Sequence, residues 1–190
     1  MKPRTVGNIA ANPAPRRKTP IAPRQFVDEA LVSDLRAILA ETGMSADLLE
    51  LEITEKTLMH DNERTLRILK ALKQEGVRIA IDDFGTGYSS LSALKQFPLD
   101  TIKIDRSFIR GVTSITDDRQ VAEAIIAMGR SLSLTIVAQG VETREQADFL
   151  RDHACDEFQG FYFNAPVPPD EFARVLKAQA DVQKSPPRKE

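Results

Sequence analysis

Short apolar runs alternate with helical patterns from residue 26 to about residue 176, and this alternation limits the fold more than any other feature of the chain. The connections are short, and most contain apolar residues at helical spacing. Strand–helix–strand order of this kind predicts a parallel sheet with crossover helices. The predicted strands are Leu48–Ile53, Val77–Ile81, Thr101–Ile104, Leu134–Ala138 and a last strand within Glu157–Phe163.

The predicted helices follow from apolar stripes and from their start and stop residues. The first, from Phe26 to about Glu41, has Leu31, Leu35, Ile38 and Leu39 on one face. The others are a helix capped by Asp61 and stopped at Gly76, then Ser89–Phe97, Asp117–Leu132, Thr143–Arg151 and a helix that opens at Pro168–Pro169 and runs through Leu176.

The composition predicts one domain with tails. A chain of 190 residues with 42% hydrophobic content can bury one good core. Residues 1–25 hold five prolines and six basic residues without an acid, so they are predicted to be a disordered leader that is either solvated or in contact with nucleic acid or acidic lipid. The domain is predicted at residues 26–179 and a disordered tail at residues 180–190.

The net charge and the apolar runs argue against nucleic acid and membranes as partners, and the cysteine content suggests a cytoplasmic protein. A net charge of −2 does not point to nucleic acid or to a membrane surface. The apolar runs are too short to span a bilayer, and the N-terminus has no secretory apolar region. The single cysteine, Cys155, suits a reducing cytoplasm and is predicted to be a packed thiol.

Acidic residues stand at the ends of the predicted strands. The run Ile79-Ala80-Ile81 leads directly into Asp82 and Asp83, and the glycine-rich segment Gly85-Thr86-Gly87 follows. Adjacent carboxylates repel each other, and a bound cation is the usual reason to tolerate them. The alternative is a strand followed by an ordinary polar turn.

Other strands bring polar residues to the same edge. Side chains alternate along a strand, so Glu50 and Glu52 share one face, as do Lys103 and Asp105. In a barrel these groups converge at the carboxyl-terminal mouth, where barrel enzymes hold their sites. Carboxylates with a lysine suit divalent cations and a phosphoryl substrate, although Lys103 alone also fits a charge at a strand edge.

Five motifs resemble the EAL family in content and in order. They are Leu49-Glu50-Leu51-Glu52-Ile53-Thr54-Glu55, Ile81-Asp82-Asp83-Phe84-Gly85-Thr86-Gly87, Ile102-Lys103-Ile104-Asp105, Gly140-Val141-Glu142-Thr143, and Gln159-Gly160-Phe161-Tyr162-Phe163 with Pro166. The resemblance runs from about Arg24 to about Leu176. It implies a TIM-barrel-like (β/α) fold that hydrolyses the bacterial messenger cyclic di-GMP to its linear dinucleotide with two Mg²⁺ or Mn²⁺ ions.

The resemblance also implies roles for individual residues. Glu52 resembles a ligand of the first metal, Asp82 the carboxylate that bridges both metals, and Asp83 a ligand of the second. Lys103 resembles the residue that orients the attacking water, and Glu55 the residue that steadies the loop after Phe84. The remaining matches are supporting polar groups at Asp105 and Glu142 and a guanine cradle at Gln159 and Pro166. Glu55 and Glu142 also fit plain solvated acids.

Three departures from the family lower the expected activity. The Glu-Ala-Leu signature is absent, Pro20 stands where the family has a metal-binding asparagine, and Gln139 stands where it has a glutamate near the second metal. Proline offers no side-chain oxygen, and glutamine loses the charge. We therefore expect metal affinity to be weakened or lost and phosphodiesterase activity of this chain alone to be negligible.

The fold is expected to be an incomplete barrel. Residues 27–179 are 153 residues, against ~250 for a typical barrel, and about five of eight strands are recognisable. Such a sheet exposes a strand edge and part of an apolar interior, which the N-terminal segment, a second copy or a protein partner must cover if the domain is to be more than marginally stable.

Three functions remain open at this point. The first is a catalytically inactive EAL-like module that binds cyclic di-GMP or regulates a partner. The second is an active phosphodiesterase whose site is completed by another chain. The third is a protein-interaction module that binds no nucleotide. A non-functional remnant is the fallback.

Overall fold

Six parallel strands form one sheet in the order of the sequence. The computed structural model describes residues 16–87 and 91–163, together with residues 165, 168 and 174. The strands are β1 (Arg17–Pro20), β2 (Leu49–Thr54), β3 (Arg78–Phe84), β4 (Thr101–Ile104), β5 (Thr135–Gln139) and β6 (Glu157–Gln159). The helices are α1 (Pro23–Phe26), α2 (Leu31–Thr42), α3 (Glu55–Leu58), α4 (Asn62–Gln74), α5 (Leu91–Gln96), α6 (Arg106–Gly111), α7 (Thr116–Ser131) and α8 (Arg144–Asp152). The sheet is an open half-barrel, which confirms the predicted α/β fold class.

The two faces of the sheet differ in polarity. On β2, the buried Leu49, Leu51 and Ile53 belong to a core that also contains Leu69 of α4 and Leu150 of α8. The alternate residues turn charged groups to the inner face, as strand periodicity requires. The expectation of an exposed apolar interior is therefore wrong, because the apolar residues lie under the helices.

Strand β1 lies inside the segment predicted to be a disordered leader, so that prediction is wrong for residues 17–25. Lys18 pairs with Glu50 and Pro20 with Glu52 in parallel register. Ile21 and Phe26 are 8% and 1% exposed, and they anchor the segment in the core. The proline-rich composition predicted disorder, but β1 is an edge strand, and an edge strand tolerates a proline that a central strand does not. The N-terminal segment thus covers the edge of β2, and the described residues contain six strands where five were recognised.

Pro20 also blunts the new edge. The amide of Ile21 donates to the carbonyl of Glu52 at 2.9 Å, so in a parallel ladder Lys18 and Pro20 direct their backbone groups to the open side. Pro20 has no N–H to offer, and the next outward amide, Ala22 N, already donates to Gln25 Oε1 at 3.1 Å. These features disfavour the addition of another strand at β1.

Charged side chains connect the first and last strands across the inner face. Lys18 Nζ lies 3.4 Å from Glu157 Oε2 of β6 and 3.9 Å from Glu50 Oε1. Glu50 is 2% exposed and accepts a hydrogen bond from Thr101 Oγ1 at 2.8 Å. Contact between the edge strands shows how strongly the sheet curls.

Several helix predictions are confirmed, and the first is corrected. Asp61 caps α4 by accepting from the amide of Arg64 at 3.1 Å, and Gly76 follows the helix with φ +88°. The single helix predicted from Phe26 to Glu41 is broken between α1 and α2, because Asp28 Oδ1 accepts from the amide of Ala30 and forms a turn. Ile38, predicted on the apolar face, is 53% exposed.

The last strand, β6, lies within the predicted segment Glu157–Phe163 and occupies its first three residues. After Gln159 the backbone turns, and the amide of Tyr162 donates to the carbonyl of Val141. Apart from residues 168 and 174, the helix predicted to open at Pro168–Pro169 lies outside the described residues, as do the tail at residues 180–190 and the start of the helix predicted at Ser89. Within the described ranges, no helix has both the length and the apolar character needed to cross a bilayer.

Candidate functional site

The predicted site residues lie at the carboxyl ends of adjacent strands. Glu52 is on β2, Asp82 and Asp83 on β3, Lys103 on β4 and Gln139 at the end of β5. Thr54 pairs with Asp82 in the register of β2 with β3, and Lys103 pairs with Val137 in that of β4 with β5. Parallel pairing therefore brings residues from four strands to one edge of the sheet, as predicted.

Lys103 is the centre of this group. Its Nζ lies 2.6 Å from Glu52 Oε1 and 2.9 Å from Asp82 Oδ1, and the side chain is 3% exposed. Burial disfavours the ammonium, but hydrogen bonds to the two carboxylates outweigh it and raise the pKa of Lys103 above its ordinary value. Lys103 is therefore a charged lysine held between two acids, not a strand-edge charge.

Gln139 completes the group from the other side. Its Nε2 donates to Asp82 Oδ1 at 3.0 Å. Asp82 thus receives an ammonium and an amide on the same oxygen. A glutamate at this position would instead place two carboxylates in contact and would need a cation between them.

Glu55 holds the glycine-rich loop. The side chain is buried, and its Oε2 accepts from the amides of Gly85 at 2.9 Å and Gly87 at 3.2 Å. A Cβ at position 87 would lie 2.9 Å from Glu55 Cδ, so only glycine lets the loop approach this closely. This places Glu55 against the loop that the family resemblance assigns to it and makes a plain solvated acid a poor description.

A polar cavity of about 370 Å³ opens beside this group. The described residues that line it come from the ends of β3, β4 and β5: Asp83, Thr86, Asp105, Arg106, Gln139 and Gly140. Asp105 also caps α6, since its Oδ1 accepts from the amide of Ser107 at 2.8 Å. Sequence reasoning missed Arg106, although its position directly after the Ile-Lys-Ile-Asp motif was a usable signal.

Two other predicted substrate residues lie outside this lining, and a third is not described. Glu142 and Gln159 are both exposed. The amide of Glu142 donates to Gln146 Oε1 at 2.7 Å as part of the start of α8, while Gln159 pairs with Gln139 in the sheet. Pro166 lies outside the described residues.

Comparison of the sequence with models of protein families identifies the family of this chain. A model of the EAL domain matches residues 7–166, which is most of the chain. This chain belongs to the EAL domain family.

Individual EAL relatives agree with this assignment. The chain is 45% identical over 154 residues, 80% of its length, to the cyclic di-GMP phosphodiesterase NbdA of Pseudomonas aeruginosa, of which it covers 20%. The solved PaMucR phosphodiesterase in complex with c-di-GMP matches with a TM-score of 0.81 and 42% identity, over 83% of this chain and 64% of that one. Klebsiella pneumoniae BlrP1 in a manganese and cy-diGMP complex matches with a TM-score of 0.73 and 32% identity, over 80% and 39%. The chain thus spans about a fifth of the length of the curated relatives it matches.

The donor set of this EAL domain does not fit the pair of metal ions that the resemblance implies. Among the described residues, no three His, Cys, Asp or Glu side chains come together in a geometry that could hold a metal ion. Glu52 and Asp82 are instead bound to Lys103, and Pro20, which pairs with Glu52 on the neighbouring strand, has no side-chain oxygen. A protein cation therefore stands in the position between the carboxylates.

Asp83 is the strained acid of the site. It is exposed and has φ +53°, in the left-handed region that asparagine and aspartate tolerate best among non-glycine residues. Although the residue is exposed, partial desolvation of its carboxyl, followed by the nearby charges of Asp82 and Asp105, raises the pKa of Asp83 above its ordinary value. The negative charge of Asp83 is thus unfavourable in the folded domain.

Replacing Asp83 with asparagine is expected to stabilise the domain in EDTA at pH 7 by about 0.5 kcal/mol, the size of an exposed charge pair. A carboxyl whose pKa is raised on folding destabilises the fold above that pKa and has no effect well below the unfolded value of 3.8. Urea unfolding at several pH values measures the difference, which should shrink as the pH is lowered from 7 towards 4. Equal stabilities at pH 7 would contradict the repulsion.

Proposed function

We propose that this EAL domain binds cyclic di-GMP in the cavity beside Asp83 without hydrolysing it at a useful rate, and that it acts as a nucleotide-binding regulatory module in bacterial signalling. One observation carries the proposal: a group of side chains that bind each other lies next to an accessible polar cavity. In this group Lys103 contacts Glu52 and Asp82, and Gln139 donates to Asp82. The cavity supports binding. Within this group, Lys103 and Gln139 bind the carboxylates that hydrolysis would need as ligands of metal ions.

The electrostatics favour binding over catalysis. Hydrolysis of a phosphodiester needs a water activated by a cation and a group that stabilises the developing charge. Here the ammonium of Lys103 is 3% exposed and already contacts two carboxylates. The relatives in complex with the nucleotide support cyclic di-GMP as the ligand class.

Isothermal titration calorimetry with cyclic di-GMP, in EDTA and then in Mg²⁺ or Mn²⁺, tests the proposal. Saturable micromolar binding in both buffers, with no linear dinucleotide detected by chromatography, is the expected result. Turnover near ~1 s⁻¹, the low end for ordinary enzymes, would refute the inactive assignment. Turnover only after another protein is added would indicate a site completed by that protein. No binding would favour an interaction module without a nucleotide.

Two substitutions are expected to restore metal affinity. Pro20→Asn with Gln139→Glu supplies the oxygen ligands that the family resemblance predicts at these positions, beside Glu52 and Asp82. We expect Mn²⁺ to bind about 10- to 100-fold more tightly, and cyclic di-GMP turnover to rise with it. Pro20→Ala and the distant Gln96→Glu are the matched controls for the loss of proline and the added charge. Unchanged Mn²⁺ affinity in the double variant would exclude these positions as metal ligands.

The open half-barrel also motivates a partner. The amide of Asp156 donates to the carbonyl of Ile136, so Glu157 directs its amide away from β5, whereas the carbonyl of Gln159 accepts from the amide of Val141 at 3.0 Å. Next to this edge Phe161, Tyr162 and Phe163 are 68%, 42% and 51% exposed. We propose that a second copy or another protein covers this side, because β1 is blunted by Pro20. Sedimentation velocity over a range of concentrations tests the second copy, and a stable monomer throughout would exclude it.

A further inference from the structure

We infer that the guanidinium of Arg106 binds a phosphodiester group of the nucleotide in the cavity. It supplies the positive charge for the phosphate at a site whose side chains do not fit a pair of metal ions. The inference deepens the proposed function and rests on it for the identity of the nucleotide. Three features carry it: the charge of the cavity, the free guanidinium, and the room that Gly140 leaves for it.

The cavity needs a cation to accept a phosphate. Among the described residues that line it, Asp83 and Asp105 are acids, and Arg106 is the one base. Lys103 is buried behind the lining and contacts Glu52 and Asp82. A phosphodiester carries a negative charge, so without Arg106 it would meet mainly like charges and dipoles.

The guanidinium of Arg106 is available to a ligand. It forms no hydrogen bond and no ion pair within 4.0 Å with any other residue that the structure describes, whereas Arg36 and Arg78 contact carboxylates. Its charge nevertheless acts on Asp83 and partly offsets the repulsion there. A planar guanidinium at the wall of a cavity, with N–H donors that none of the described residues accepts, is well suited to bind two oxygens of one phosphate.

The backbone around Arg106 is arranged to place it there. Asp105 caps the start of α6, so Arg106 is the first residue of that helix, directly after β4. Gly140 lies directly beside Arg106 and has φ +73°, and a Cβ at position 140 would lie 2.7 Å from Arg106 Cβ. The loop after β5 therefore accommodates the stem of Arg106 only because residue 140 has no side chain.

The test compares Arg106→Gln with Arg110→Gln. Arg110 is an exposed arginine of the same helix, and it lies outside the cavity lining. In calorimetric titration in EDTA we expect Arg106→Gln to weaken cyclic di-GMP binding about 10- to 100-fold, as for a charge-assisted hydrogen bond, and Arg110→Gln to leave it unchanged. The affinity of Arg106→Lys should lie between those of the other two variants, because lysine keeps the positive charge but cannot donate two parallel hydrogen bonds to one phosphate. The salt dependence of binding should also decrease in Arg106→Gln. Thermal unfolding confirms that each variant is folded.

A second probe separates this inference from the proposed function. Inorganic pyrophosphate is titrated into the same proteins, and its binding is measured by the same calorimetric assay. Binding of cyclic di-GMP that is equal in wild type and Arg106→Gln overturns the inference and leaves the proposed function intact. A pyrophosphate response that depends on Arg106, without any cyclic di-GMP binding, supports the inference and overturns the proposed function. No response to either probe overturns both.

Discussion

Replacing Lys103 with methionine is expected to lower the free energy of unfolding by about 3 kcal/mol, the low end for a buried ion pair, because it leaves two largely buried carboxylates without their cation. Glu52 and Asp82 have side chains that are 10% and 17% exposed, and both contact Lys103 Nζ within 2.9 Å. Methionine fills a similar volume, so the loss is mainly electrostatic and not a cavity effect. Urea unfolding at pH 7 measures it as a shift in midpoint at constant slope.

The matched control for this prediction neutralises the acids. Lys103→Met combined with Glu52→Gln and Asp82→Asn should recover most of the lost stability, since no buried charge is then unpaired. The pH dependence has a defined sign: the pKa of Lys103 is raised, so its stabilising effect is complete below the unfolded value of 10.5 and is lost as the pH rises through the folded value. A cost below 1 kcal/mol for Lys103→Met at pH 7 would show that solvent screens this group.

Replacing Glu55 with alanine is expected to loosen the loop at residues 85–87 and to cost about 3 kcal/mol of stability. Glu55 is 1% exposed, and one of its oxygens accepts the amides of Gly85 and Gly87. Hydrogen bonds to a charged acceptor contribute about 1.5–3 kcal/mol each, and the variant leaves both donors without this partner. Hydrogen exchange of the two glycine amides should accelerate at least ~10-fold, which reports the loop directly.

A conservative variant separates the role of charge from that of shape at this position. Glu55→Gln keeps an oxygen that can accept both amides, so it should lose about 1 kcal/mol and leave the exchange rates closer to those of the wild type. Glu29→Ala, at an exposed position before α2, controls for the loss of an acid. Unchanged exchange at Gly85 and Gly87 in Glu55→Ala would mean that other contacts hold the loop, and that Glu55 does not steady it.

Local patterns were sufficient for most of the elements. The apolar runs of β2 to β5, the cap at Asp61 and the stop at Gly76 depend on residues that are close together in the sequence. Strand β1 was missed because its stability comes from pairing with β2 and from the burial of Ile21 and Phe26, neither of which is visible in a segment rich in proline and basic residues. The break before α2 depends on one side-chain hydrogen bond of Asp28.

The sequence by itself determined that this protein is an α/β domain of parallel strands and that Glu52, Asp82 and Lys103 stand at one edge of the sheet, because strand period and chain order settle both. Only the tertiary structure decided which of these side chains form hydrogen bonds and ion pairs with each other. Lys103 reaches Glu52 across 51 residues of sequence, and Gln139 reaches Asp82 across 57. Those contacts depend on strand register and on the curl of the sheet, which local patterns do not specify. The same curl brings Arg106 beside Gly140 and makes the cavity.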